Sequence, residues 1–183
     1  MRIAEIYKSI QGEGFLTGIE SVFVRASGCN LRCWFCDTPH ASWRPEGRDL
    51  SVDEIVSLVE EWDCRHVVLT GGEPFLQADR QLVRALRAEG FEIAVETNGT
   101  VIPRVPHGTR YGIDWICVSP KQHPDRLKLA HGDELKVVYP AYDGEEREFR
   151  MQEGPDAAHA EIGTVASLFP DMHAVHAAAG GEL

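Results

Sequence analysis

Five short apolar runs, at residues 20–27, 66–70, 91–95, 113–118 and 134–139, punctuate the chain, and a polar or glycine-bearing motif follows each of the first four. No other feature narrows the fold as much. Gly28 and a cysteine loop follow the first run, and Gly71-Gly72-Glu73-Pro74 the second. Glu96-Thr97-Asn98-Gly99-Thr100 follows the third, and Ser119-Pro120-Lys121 the fourth. Apolar runs of this length predict strands. Ser51 with Glu54 three residues on is the capping-box pattern, opening a helix in which Ile55, Leu58, Val59 and Trp62 recur at helical spacing. A second helix is predicted over 77–89. Strands alternating with helices imply parallel β/α units, whose ligands gather at the carboxyl ends of the strands. The four motifs therefore share one rim. Residues 3–7 predict a further strand, 39–50 a loop, 157–169 a helix, 173–176 a short last strand and 177–183 a fraying tail. With no internal repeat or linker, the 183 residues read as one α/β domain.

The cysteine loop runs Cys29-Asn30-Leu31-Arg32-Cys33-Trp34-Phe35-Cys36-Asp37-Thr38, three thiols spaced C-x3-C-x2-C. Thiolates select zinc, copper(I) or iron–sulfur clusters. Three of them on a four-iron cube leave one iron open, and an open metal position is where chemistry occurs. A structural zinc knuckle completed by His40 or Cys64 is the alternative that spacing leaves standing. Disulfides are disfavoured in a short cluster with no apolar secretory segment at Met1-Arg2-Ile3-Ala4-Glu5.

No apolar run is long enough to span a bilayer, and a formal net charge of −11 argues against gripping nucleic acid through overall charge. The expectation is a protein of a reducing cytoplasm. In Gln11-Gly12-Glu13-Gly14, two glycines allow close backbone approach to a ligand, though a surface turn explains the stretch nearly as well. Arg25, inside a β-prone run, either lies at an exposed edge or holds a ligand carboxylate through paired hydrogen bonds. Cys64 and Cys117 read as buried thiols, Trp34, Trp43, Trp62 and Trp115 as packing, His66 as structural, and Glu145-Glu146-Arg147-Glu148 as a solvated helix face.

The cysteine spacing followed by Gly71-Gly72-Glu73 resembles the radical S-adenosylmethionine (SAM) superfamily. That resemblance implies a [4Fe-4S] cluster on Cys29, Cys33 and Cys36, with SAM chelating the fourth iron. It also implies a small partial (β/α)6-type barrel with reduced helical content. Residues 1–28 would supply N-terminal strands and a substrate loop, 29–140 the cluster and SAM core, and 141–183 a part completing the pocket.

Within the superfamily, Gln11 to Gly14, Phe23-Val24-Arg25, Cys36-Asp37-Thr38, Thr70 to Pro74, Glu96 to Gly99, Ser119 to Lys121 and Glu134-Leu135-Lys136 are similar to one branch. Its members contract 6-carboxy-5,6,7,8-tetrahydropterin to 7-carboxy-7-deazaguanine, releasing ammonia, in 7-deazapurine (queuosine-type) biosynthesis. By that resemblance Ile10, Gln11, Gly12, Arg25 and Thr70 touch substrate, and Thr38 binds Mg2+. Phe35, Cys36, Asp37, Gly72, Glu73, Ser119, Pro120 and Lys121 line SAM. Glu13, Asn98, Gln152 and His176 are further candidates. An electron donor such as flavodoxin or ferredoxin and a homodimer are also implied. Met151-Gln152-Glu153-Gly154 matches only part of the branch's Gln-Pro segment, and no lysine follows His173 or His176. A glycyl-radical activase acting on a protein, and a non-catalytic zinc or Fe–S module, are the competing readings.

Overall fold

The computed structural model describes residues 1–33, 35–43, 46–105, 112–122, 124–129, 131–139 and 174–179. Trp34, Gln152, His173, the 145–148 charge run, the helix expected at 157–169 and residues 180–183 lie outside the described residues. One eight-stranded sheet organises the rest, in the order β3-β1-β2-β4-β5-β6-β7-β8. The strands are β1 (Arg2–Ile10), β2 (Glu20–Ala26), β3 (Arg48–Asp49), β4 (His66–Gly71), β5 (Glu92–Thr97), β6 (Trp115–Val118), β7 (Glu134–Tyr139) and β8 (Ala174–Ala179). β1 is antiparallel to β2 and β3. From β2 to β8 every pairing is parallel.

Through the parallel part, spatial order follows chain order, without the reversal that makes a doubly wound sheet. Crossovers of one hand then put their helices on one face. Helices α2 (Val52–Glu60) and α3 (Arg80–Ala88) do pack together there. Ile55, Val59, Leu82 and Leu86 meet Val22, Val24, Val67, Leu69, Ile93, Val95, Ile116 and Val118 in one buried cluster. The two-residue period of a strand sends the intervening residues to the opposite face. This is a partial barrel with few helices, as the sequence implied.

Local chemistry fixes the helix starts. Ser51 Oγ accepts from Glu54 N, and Glu54 Oε2 accepts from Ser51 N, completing the capping box. Asp79 caps α3 through the amides of Gln81 and Leu82. The helix expected from residue 77 starts at Arg80, because Pro74–Leu76 forms a 3-10 turn and the chain is extended at Asp79. The 39–50 loop contains two short elements, α1 (Pro39–Ser42) and β3. The tail expected to fray from 177 stays in β8 through Ala179, held by parallel pairing with β7. The 113–118 strand begins only at Trp115.

Leu69 is 1 % exposed between the sheet and both helices. Leu69→Ala should lower unfolding free energy by about 2–5 kcal/mol, read as a reduced denaturant midpoint with unchanged slope.

Candidate active site

At the carboxyl end of β2 the chain enters the cysteine loop, and at that of β4 it enters the glycine corner. The two meet backbone to backbone. Gly72 N donates to Ala26 O at 3.1 Å and Glu73 N to Gly28 O at 2.9 Å. Gly71 adopts φ +140°, and a β-carbon there would overlap the Ala26 carbonyl. One on Gly72 would overlap the Gly28 carbonyl oxygen and stand 2.9 Å from Cys29 Cβ. Only glycine permits this approach.

Glu73 locks the corner to β5. Its carboxylate is fully buried and accepts from Thr97 Oγ1 and Asn98 N, each at 2.8 Å, and from Phe75 N at 3.1 Å. Burial pushes its pKa above the usual carboxylate value against those donors. The side chain is thus turned into the protein. Asn98 Nδ2 reaches Cys29 Sγ at 3.8 Å and Asn30 Oδ1 at 3.2 Å, tying the β5 end to the same loop. On its other side the loop is carried by α1, through Gly28 N to Ala41 O and Cys29 N to Ser42 O.

Cys29, Cys33 and Cys36 are free, half-buried thiols. Among the described residues no three His, Cys, Asp or Glu side chains converge on one ion as they stand. The donor set nevertheless fits an iron–sulfur cluster: three thiols on one loop with polar groups beside the sulfurs. Leu31 N donates to Cys29 Sγ at 3.3 Å, and Cys36 Sγ contacts Ser42 Oγ at 3.7 Å and Thr38 Oγ1 at 3.9 Å. Burial raises the Cys29 pKa and pushes Cys33 up to about 11, with Lys121 pulling Cys33 the other way. Both shifts favour the thiol form of Cys29 and Cys33 in the metal-free protein, and a bound metal displaces those protons.

Of the two candidate fourth ligands, Cys64 does not fit. Cys64 sits just before β4, its Sγ on the carbonyls of Glu20 and His66 at the opposite end of the sheet. It is half-buried rather than buried as expected, while Cys117 is buried. His40 is exposed on α1. His66 is structural, its Nδ1 2.7 Å from Ser21 Oγ, and burial lowers its pKa.

Below the rim, the face opposite the helices is polar. Arg25, Thr70, Glu96, Cys117 and Glu134 form one register row, with Phe23, Val68, Ala94 and Trp115 beneath and Lys136 the next residue up on the same face of its strand, as strand alternation requires. Thr70 Oγ1 donates to Glu96 Oε2 at 2.9 Å, and Gln11 Nε2 to Glu96 Oε1 at 3.0 Å. Lys136 Nζ donates to Glu13 Oε2 at 2.8 Å and Glu96 Oε1 at 3.3 Å. Burial opposes ionisation of Glu96, but Lys136 and these donors outweigh it and hold the pKa below the usual value. Lys136 is likewise held above the ordinary lysine value despite burial, by Glu96 and Glu13. Gln11, Glu13, Leu16, Trp115, Cys117 and Glu134 also line this pocket.

The structure places the remaining sequence candidates around this layer. Arg25 lies on the concave face, its Nε on Glu5 Oε1 at 2.6 Å and Nη2 on Tyr7 Oη at 3.0 Å. Gln11 is buried, whereas Ile10 is 60 % exposed at the end of β1 and Gly12 has open space about it. Thr38 donates to Asp37 Oδ1 at 3.4 Å beside Cys36. Phe35 is half-buried in the cluster loop. Lys121 Nζ donates to Ser119 Oγ at 2.6 Å, beyond Pro120, and burial lowers its pKa. His176 pairs with Lys136 in the parallel register. Glu96, Glu134 and Lys136 stood in motifs of the resemblance but were given no site role from sequence, and Trp115 was read as packing. Their signal was a polar or bulky residue at alternate positions of an otherwise apolar strand.

Residues 23–142 match the radical SAM superfamily model, and the chain belongs to that superfamily, whose members use a [4Fe-4S] cluster and SAM. A 7-carboxy-7-deazaguanine synthase of Rhodopirellula baltica is 51 % identical over 120 residues, 65 % of this chain and 44 % of that protein. One of Caulobacter vibrioides is 40 % identical over 182 residues, 84 % of this chain and 83 % of that protein. The crystal structure of QueE from Escherichia coli superposes with a TM-score of 0.61 at 28 % identity, covering 76 % of this chain and 72 % of that one. Within the superfamily, the chain belongs to the 7-carboxy-7-deazaguanine synthase family. It spans less than half the length of the R. baltica relative.

Gly72→Ala should drive the corner off Gly28 and Cys29. After anaerobic reconstitution its iron and sulfide content should fall well below wild type, while far-ultraviolet circular dichroism stays native.

Proposed function

We propose that this chain converts 6-carboxy-5,6,7,8-tetrahydropterin to 7-carboxy-7-deazaguanine with loss of ammonia, a carbon–nitrogen lyase step of 7-deazapurine biosynthesis. One observation carries the reading: the three-thiol loop and the glycine corner close the same rim above a concave face built around the half-buried Glu96 carboxylate. The cluster and SAM, when bound, supply a radical that abstracts hydrogen from the substrate.

The protein's own work is holding and orienting. Cys29, Cys33 and Cys36 would hold the cluster. Gly72 would offer backbone to the SAM amino group, while Glu73, occupied by Thr97 and Asn98, keeps that corner in place. Phe35, Asp37 and Ser119 to Lys121 complete the SAM wall. Thr38 would give one oxygen to Mg2+, which keeps substrate or water in its other positions. Arg25 would take the substrate carboxylate as a two-pronged donor, exchanging or sharing Glu5. Glu96 accepts three hydrogen bonds and retains lone-pair capacity for an N–H of the pterin ring. Thr70, Gln11 and Gly12 flank it. Fixing the ring in this way is an orientation task, in which small displacements cost much rate.

The 11–18 loop stands across the concave face, with Phe15 stacked on Trp115 at 4.8 Å. That suits a small ligand better than the open groove an activase needs for a peptide. The reading also includes a cytoplasmic setting, an electron donor of the flavodoxin or ferredoxin kind and a homodimer. Among the described residues no helix is long and apolar enough to cross a membrane.

Protein reconstituted without oxygen, given SAM, a reductant, Mg2+ and the tetrahydropterin, should release 7-carboxy-7-deazaguanine, identified by mass spectrometry. Zinc in place of iron and sulfide, or unchanged pterin, would refute the reading. Glu96→Gln should lower kcat/KM at least about tenfold, since one hydrogen bond to a charged group contributes about 1.5–3 kcal/mol.

A further inference from the structure

We propose that Lys136 is a positioning residue of the substrate pocket: by bridging Glu13 and Glu96 it fixes the 11–18 loop and the β5 carboxylate for a ring edge that donates N–H groups. The inference rests on the pterin reading above and gives a role to a strand residue to which the sequence assigned none.

A lysine in the middle of a parallel strand is costly. Its side chain is 10 % exposed, and a buried ion pair seldom stabilises more than apolar residues of the same volume. The position therefore calls for a reason other than stability. Its geometry supplies one. Nζ joins Glu13, 123 residues away on the loop, to Glu96, 40 residues away on β5. Gln11, from the same loop, donates to the same Glu96 oxygen. Loop and strand wall are thus tied at one point.

Charge points to the ligand. Glu13, Glu96 and Glu134 line the pocket against the one ammonium of Lys136. Arg25 is paired with Glu5, and Lys121 lies at the rim on Ser119. Glu134 gives one oxygen to Trp115 Nε1 at 3.0 Å, and its other oxygen has no partner among the described residues. A pocket with carboxylate oxygens in excess suits a ligand edge rich in N–H donors, as a 2-aminopyrimidinone is. Without Lys136, Glu13 and Glu96 would repel, and the loop would lose its hold on the wall.

The test compares wild type with Lys136→Arg and Lys136→Met. It uses steady-state kinetics with the tetrahydropterin, and equilibrium binding of oxidised 6-carboxypterin to cluster-free protein by tryptophan quenching. Lys136→Met should raise both KM and the probe's Kd more than tenfold with a smaller change in kcat. Lys136→Arg should recover most of the loss. Since both residues act through one bridge, Glu13→Gln/Lys136→Met should bind no worse than Lys136→Met alone. Values within twofold of wild type in Lys136→Met, or equal losses in Met and Arg, would overturn the proposal. Should Lys136→Met fail to fold, Glu13→Gln, at a half-exposed residue, takes its place, and an unchanged Kd there overturns it equally. If wild type binds the probe but does not turn over, the functional reading fails while the probe still reports on Lys136.

Discussion

The rim depends on a close backbone contact between the Gly71-Gly72 corner and the Ala26–Cys29 segment. Two parallel strands end side by side, and their continuations must diverge or pack. Here they pack, because neither Gly71 nor Gly72 carries a β-carbon. Glu73 then spans from that corner to the third strand end through Thr97 and Asn98. Asn98 closes the circuit on Cys29 and Asn30. Three strand ends are fastened to one another before any cofactor arrives, so the cysteine loop starts from a fixed origin.

The parallel strands run in chain order without a switch point, and this gives the sheet two unlike faces. One receives α2 and α3 and is apolar throughout. Among the described residues the other meets no crossover helix, and it can hold side chains that a doubly wound sheet would exclude. Hence Thr70, Glu96 and Lys136 alternate with Leu69, Val95, Leu135 and Val137, which face the other way. The chain's loop at 11–18 reaches over that face and partly shields it, so the charges act in a low dielectric.

Much of this was legible in the sequence, for identifiable reasons. Val67 to Leu69 and Ile93 to Val95 are apolar runs that announce strands, as is Leu135 to Val138 apart from Lys136, and Ser51 with Glu54 announces a helix start. The C-x3-C-x2-C spacing with Gly71-Gly72-Glu73 announced the rim. Three things were not legible. The short elements α1 and β3 are set by tertiary hydrogen bonds, Gly28 to Ala41 and Arg2 to Asp49 pairing, rather than by local pattern. The β8 strand persists past residue 176 because β7 pairs with it, not because Ala177-Ala178-Ala179 favours a strand. And the bridging role of Lys136 joins residues so far apart in the chain that periodicity cannot show it.

Three carboxylates on or near this face, Glu73 and Glu134 buried and Glu96 half-buried, are satisfied to different degrees, and the differences sort their roles. Glu73 meets three neutral donors and no cation, so burial raises its pKa and it serves as a tie between strand ends. Glu96 has as many donors but one is Lys136, and it is held ionised. Among the described residues Glu134 has a single donor and an oxygen left over. An unmet acceptor in a folded core costs free energy that packing must offset. Where that cost is carried beside a pocket rather than inside a wall, a ligand's N–H can remove it. Glu73 therefore belongs to the fastened rim, whereas Glu96 and Glu134, both lining the pocket, are the acceptors for which such a ligand is proposed.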